Sequence, residues 1–263
     1  MKPKYQEEFF LSAGEANAEQ EMSLSILVAK LIDIATAHAN SLEIGNPVMK
    51  SMNAGWVLSR LTIDMESYPK VNDNYIISTW IESFNRHFSE RAFCISSPEG
   101  KVYGYARSVW MVMDTVNHTN VGLSHLSIAP DLILGDVPPI PRQAKHAPIV
   151  ESVDRLEIPK GVLVATHRPF DYCFKYCDLD SYRHVNTVRY VVLLLNQFSL
   201  DEYDSTYVRR IELSFLHEAK YGMETKLLRS DKECDNEFVS SFLLQKDVDA
   251  TPLLFARLFR RRR

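Results

Sequence analysis

The chain has 263 residues, 46% hydrophobic and 24% charged, which is enough apolar material for a large core. Its length stands at the boundary between one big domain and two of about 130 residues. A formal charge of -4 excludes a general nucleic-acid binder, which neutralises phosphates with clustered Lys and Arg; the one basic run is the terminal Arg260 to Arg263.

The first stretch, MKPKYQEEFFLSAGEANAEQE, carries Glu where a signal peptide needs an unbroken apolar segment, and it is too acidic for a transit peptide. Cys94, Cys173, Cys177 and Cys234 form no paired framework in a chain of this length, which fits a reducing compartment. The longest apolar run, Val191 to Leu195, is far short of the ~20 residues that span a bilayer. A cytoplasmic protein without a membrane span is therefore expected.

The first periodic segment is SLSILVAKLIDIATAHA, where Leu24, Leu27, Val28, Leu31 and Ala35 have the spacing of one helical face. Four alternating or β-branched runs follow, WVLSRLTIDM, NYIISTWIESF, SERAFCIS and VYGYARSVWMVMD, each read as a strand. Between Ser127 and Lys160 stand Pro130, Pro138, Pro139, Pro141, Pro148 and Pro159, with Pro169 just beyond, a density that marks a linker. The same order then returns: a helix in TVRYVVLLLNQF and strands in TYVRRIELSFL, METKLLRS, EFVSSFLLQ and PLLFARLFR.

The repetition extends to individual residues. At an offset of 150 (Arg60 to Arg210), Leu61 aligns with Ile211, Ile63 with Leu213, Met65 with Phe215 and Lys70 with Lys220. The same offset sets Ala106-Arg107 on Ala256-Arg257, and its recurrence at both ends implies an internal duplication. One helix followed by four strands joined by short turns implies an α+β fold with the helix laid against an antiparallel sheet. The second helix is apolar almost all round from Tyr190 to Leu195, as befits a helix enclosed by a curved sheet. The architecture expected is two tandem hot-dog domains, each an antiparallel sheet wrapped around a long central helix: residues 1–128, a linker over 129–160, and residues 161–263. Single hot dogs usually pair through their sheets, so a fused pair is free to keep one site and let the other drift. A homodimer of the whole chain stays open.

Titratable groups collect in the second half. Asp178, Asp180, His184 and Asn186 precede its helix, whereas AGEANAEQEMS before the first helix has no comparable His. One strand later the second half has His217 and Glu218 where the first has Ser67 and Tyr68. Other chemistries lack their motifs: there is no GxSxG nucleophile turn and no GxxxxGK[ST] phosphate loop. DLDSYR begins like a calcium loop but has Tyr182 and Arg183 where a third oxygen ligand and a turn glycine belong. Cys173, Cys177 and His184 lack a second cysteine pair for zinc, the alternation of FDYCFKYC suits a strand, and the two cysteines are expected to be packing residues. No metal or cofactor is expected.

DLDSYRHVNTVRY resembles the DLDxNxHVNNxxY signature of plant-type acyl-acyl carrier protein thioesterases, and WVLSRLTIDMESYPKVNDNYIISTW with the later RSVWMVMD resembles the first half of the same family. With its start at Met1, the chain looks like a bacterial member. The resemblance implies hydrolysis of the thioester between a fatty acyl chain and the phosphopantetheine arm of acyl carrier protein, within fatty acid biosynthesis. It implies catalytic roles for Asp180, His184 and Glu218. Tyr182 stands at the substrate-orienting position where the family has Asn, and Asn186 is the candidate substitute; Ala219 stands where plant members have Cys, so a Cys-His mechanism lacks its nucleophile here. A carboxylate as base toward water, with His184 and helix N-terminal amides polarising the carbonyl, is the mechanism these residues suggest. Acyl-chain selectivity is expected in the first half, from Trp56, Met65, Trp110, Met111 and Met113, and an acidic carrier protein is expected to meet basic residues such as Arg183, Arg189, Arg209, Arg210 or Lys220. An acyl-CoA thioesterase on the same fold and a non-catalytic acyl-thioester-binding regulator are the alternatives.

Overall fold

A computed structural model describes residues 1–117, 119–126, 128–144, 149–151, 162–164, 167–234 and 237–263. The chain divides into two compact units, Met1–Pro141 and Arg142–Arg263.

The first unit contains β1 (Lys4–Phe10), α1 (Leu24–Ser41), α2 (Asn46–Ser51), β2 (Ala54–Met65), β3 (Asn74–Phe84), β4 (Ser89–Ser96) and β5 (Val102–Asp114). The strands form an antiparallel sheet in the order β1-β3-β4-β5-β2. Helix α1 buries Leu24, Leu27, Val28, Leu31, Ile34, Ala35 and His38, the three-and-four spacing of one apolar stripe. The sheet presents Leu61, Ile63, Met65, Ala106 and Val112, all nearly inaccessible, as the matching surface. Gly104 sits opposite Met65, and a Cβ there would lie 2.5 Å from both the Met65 sulfur and the Asp64 carbonyl oxygen. Only glycine lets the two strands pass that thioether.

The second unit contains a short parallel pair, β6 (Ile149–Glu151) and β7 (Val162–Val164), then β8 (Phe170–Cys173), α3 (Thr187–Leu195), α4 (Leu200–Ser205), β9 (Thr206–Phe215), β10 (Glu224–Cys234), β11 (Glu237–Lys246) and β12 (Pro252–Arg262). Its main sheet is antiparallel in the order β9-β12-β11-β10-β8. Helix α3 buries Tyr190, Val191, Leu193 and Leu194. Tyr190 stands between Phe174 and Phe215 in two edge-to-face contacts with centroids 5.7 Å apart, a geometry that suits the ring quadrupoles.

The duplication is visible as register. Ile63 pairs with Ala106 as Leu213 pairs with Ala256, and Leu61 with Ser108 as Ile211 with Leu258, each at the 150-residue offset. The helices differ from expectation: α1 is long at 18 residues, but α3 has only 9. The second helix stops because Ser199 starts a new one, its hydroxyl and the Glu202 carboxylate exchanging bonds with each other's amides as a capping box. Strand β1, outwardly only a polar leader, alternates exposed and half-buried residues along the edge of β3, with the Tyr5 ring stacked on His38.

Part of the stretch expected to link the halves is fixed to the first unit. Leu132 is buried with Leu42, Ile44 and Ile81, and the Trp80 indole donates to the Asp136 carbonyl at 2.7 Å. Positions 145–148 and 152–160 of that stretch lie outside the described residues.

His38 is fully buried. Arg91 donates to its Nδ1 at 2.7 Å, so Nε2 carries the hydrogen and donates to the Lys2 carbonyl at 3.0 Å. Burial first, and the Arg91 charge second, lower its pKa from 6.5 to about 4. Below pH 6.5 the unfolded chain takes up a proton that native His38 refuses until about pH 4, so this group removes stability as pH falls through that window, by about 3 kcal/mol in full. Urea unfolding between pH 4 and 7 is expected to show a shallower loss for His38→Gln than for the parent; identical slopes would contradict this account.

Candidate active site

The loop before α3 is built by its own acidic side chains. In the 3-10 turn Tyr176–Asp178, the buried Asp178 carboxylate accepts from the Lys175 amide at 2.7 Å and the Tyr172 hydroxyl at 3.0 Å. Asp180 Oδ1 then accepts from the amides of Tyr182 at 2.8 Å and His184 at 3.0 Å, closing a tight turn whose third residue, Arg183, takes the left-handed conformation at φ 64°. The turn is stitched to the connection after β9: the Val185 amide donates to the Ala219 carbonyl at 2.9 Å, and His184 bridges Lys220. This pairing brings His184 Nε2 to 3.4 Å from Glu218 Oε2, with their side chains 28% and 36% accessible. The pair is therefore supported by backbone yet open to a ligand.

Asp180, His184 and Glu218 thus come together. Glu218 lies in the connection between β9 and β10 rather than on a strand, because β9 ends at Phe215. Near them is Tyr190, a residue of the α3 core. Burial, followed by the negative charges of Glu218 and Asp180, raises its hydroxyl above the ordinary tyrosine value, against a contrary pull from the Ala219 amide. It stays protonated in the field of the two carboxylates. The signal was present: Tyr190 is the last residue of the DLDSYRHVNTVRY string.

Other expectations are corrected by position. Asn186 caps α3, its Oδ1 accepting from the Val188 amide at 2.9 Å, so that oxygen is committed to the helix. The Thr187 amide, next to it, has no acceptor among the described residues. The Tyr182 side chain is 61% exposed. Cys177 is exposed rather than packed, with Cys173 half-buried. His217 is held through Nδ1 on the Pro252 carbonyl at 2.7 Å. Arg183, Arg189 and Lys220 are exposed as a carrier-protein surface requires, but Arg210 is buried against Glu212 at 2.6 Å. Among the described residues no cluster of three or more His, Cys, Asp or Glu is arranged to hold a metal.

In the first half, Trp56, Met65 and Trp110 share the face of the sheet that meets α1, whereas Met111 and Met113 point to the other face. Neighbouring strand residues alternate sides, so a chain held between helix and sheet cannot touch both sets. Met65 is fully buried core.

The first unit repeats the backbone of the loop before α3 at an offset of 163 (Glu21 to His184). Asn17 Oδ1 accepts from the Glu21 amide at 2.8 Å, Gln20 has φ 60°, and the Met22 amide donates to the Pro69 carbonyl at 2.9 Å. Asn17, Glu21 and Tyr68 therefore occupy the places of Asp180, His184 and Glu218, and the His–Glu pair exists in the second copy alone.

A helix enclosed by a sheet and entered through this loop, present twice with the His–Glu pair in one copy, defines a tandem hot-dog protein. The chain belongs to the acyl-ACP thioesterase family: the model for the acyl-ACP thioesterase N-terminal domain matches residues 2–123 and that for the C-terminal domain residues 165–261. The palmitoyl-acyl carrier protein thioesterase of Gossypium hirsutum is 24% identical over 260 residues, covering 94% of this chain and 61% of that protein, and the oleoyl-acyl carrier protein thioesterase of Coriandrum sativum is 25% identical over 93% of this chain and 63% of its own length. The chain thus spans about three fifths of these curated relatives. An acyl-ACP thioesterase from Bacteroides thetaiotaomicron has the same fold at a TM-score of 0.81 and 24% identity over 98% of both chains. So does the 12:0-ACP thioesterase from Umbellularia californica, at 0.79 and 17% over 99% of this chain and 94% of that one.

Because Asp180 supplies a turn acceptor that an amide oxygen also supplies, Asp180→Asn is expected to keep stability within about 0.5 kcal/mol, while Asp180→Ala loses about 1 kcal/mol or more. Chemical denaturation of both variants decides this; an unaltered Asp180→Ala protein would remove the structural role.

Proposed function

We propose that this chain hydrolyses the thioester joining a fatty acyl group to the phosphopantetheine arm of acyl carrier protein, releasing the fatty acid and the free thiol. The observation that supports this most directly is the His184–Glu218 pair, held beside Asp180 by a loop whose first-half counterpart keeps the backbone geometry and lacks the groups. A thioester carbonyl is already electrophilic, so the site has to place it, activate water and stabilise the oxyanion. The unpaired Thr187 amide at the positive end of α3 is a donor for that oxyanion, with His184 beside it. A carboxylate, Glu218 or Asp180, takes a proton as water attacks the carbonyl carbon. When the C–S bond breaks, that proton passes to the departing sulfur.

Single-turnover and steady-state assays on matched acyl-carrier-protein and acyl-CoA substrates over several chain lengths test the reading. Asp180→Asn, His184→Ala and Glu218→Gln are each expected to lower kcat/KM by about 100-fold or more while folded. Cys173→Ala and Cys177→Ala are expected to stay within about twofold of the parent. Near-parental turnover in all three site variants sinks the assignment, and faster thiol release from acyl-CoA transfers it to the other carrier. Arg183→Glu with Arg189→Glu is expected to raise KM for the carrier-protein substrate and leave KM for acyl-CoA nearly unchanged, because exposed charges act mainly on encounter with an acidic partner.

A further inference from the structure

Among the described residues, buried arginines come with carboxylates, with one exception. Arg107 meets Glu82 at 2.7 Å, Arg210 meets Glu212 at 2.6 Å, Arg229 meets Asp231 at 2.8 Å and Arg260 meets Glu202 at 3.0 Å. Arg91 is 5% exposed and has no carboxylate partner among the described residues. One terminal nitrogen donates to His38 Nδ1 at 2.7 Å and lies 3.3 Å from the Thr79 hydroxyl. Its Nε and second terminal nitrogen have no partner among the described residues. His38, already committed on both ring nitrogens and neutral at physiological pH, offers no compensating charge.

Arg91 lines a cavity of about 40 Å³ within the first unit, between α1 and the sheet, together with Thr36, Asn46, Trp56, Ser89 and Trp110. That is room for a few heavy atoms, walled by two indoles and floored by polar groups. Part of the cavity wall comes from residues with no counterpart at the same offset in the second unit. Its Ile44, Gly45 and Asn46 belong to the segment between α1 and β2 that carries α2, within the stretch where the offset changes from 163 for the loop to 150 for the sheet. In the second unit the position of Trp110 is taken by Arg260, and the Phe198 ring lies between Arg229 and Arg260 at 4.2 and 4.1 Å.

We infer that this cavity binds the far end of an aliphatic chain that carries an oxygen acceptor there, a hydroxyl or oxo group, with Arg91 as the donor. A bare methyl end would leave the guanidinium desolvated and unpaired, a heavy cost for a buried charge. An acceptor oxygen removes that cost through a charge-assisted hydrogen bond, while Trp56 and Trp110 cover the methylenes. The inference deepens the acyl-thioesterase reading by naming a substrate class for it, and it has a readout that needs no turnover.

Trp56 and Trp110 report occupancy by fluorescence. Titration of the full chain with free fatty acids and their ω-hydroxy counterparts over several lengths is expected to show, at the best length, about tenfold tighter binding of the hydroxylated chain, with Arg91→Met removing or reversing that preference. Equal affinity of the two series for the parent protein overturns the inference, whether or not Arg91→Met folds. An α,ω-dicarboxylic acid that alone gains affinity shows a charge-pairing floor instead and also overturns it. Absence of thioester hydrolysis with the binding preference intact would reject the proposed function and leave this site standing.

Discussion

A helix enclosed by a sheet has to begin where water is scarce, and its first amides and the loop that feeds it then need partners from the chain itself. Both units meet that constraint in the same way. A short polar side chain four residues before the loop's end, Asn17 or Asp180, accepts an amide from the turn, a residue in the left-handed region reverses the chain, and one further amide reaches the connection after the next strand. Everything chemically interesting in the second unit hangs on this frame. His184 projects because its own amide is tied down, and Glu218 faces it because the connection that carries it is the frame's other anchor.

The frame also separates scaffold from chemistry. An amide side chain satisfies the turn as well as a carboxylate does, so the first unit folds with Asn17 where the second has Asp180. Charge at that position is not needed for folding. The second unit keeps a carboxylate there, with a second one nearby and a tyrosine hydroxyl that burial and then both charges raise above its ordinary value. The first unit instead spends its polar groups on the buried His38–Arg91 contact.

The strands were legible because β-branched and aromatic residues alternate along them with period two, and NYIISTWIESF and SERAFCIS fall on β3 and β4 residue for residue. The duplication was legible for the same reason, since paired strands such as β2 and β5 keep fixed register. Three things were not. Strand β1 reads as polar because an edge strand has one wet face and charged residues belong there. The length of the second helix was hidden because TVRYVVLLLNQF reads as one segment up to Phe198, while the decisive signal was the Ser199–Glu202 capping pair. The match between the two pre-helix loops was hidden because its offset, 163, differs from the 150 of the sheets. For the candidate site, Asp180, His184 and Glu218 were readable from the string and its family likeness. Asn186 as a helix cap, and Met111 and Met113 on the far face, needed the backbone, since a residue type alone does not say which way a side chain points.

The added segment between α1 and β2 has a consequence for how such a protein can vary. In the second unit α4 runs directly into β9, so any change in helix length would shift the strand that anchors the reactive loop. In the first unit residues 42–53 stand between α1 and β2, anchored to the core by Leu42, Ile44 and Met49. The cavity wall formed by Ile44 to Asn46 is therefore separate from the loop that holds the His184–Glu218 pair, and a change in one leaves the geometry of the other in place.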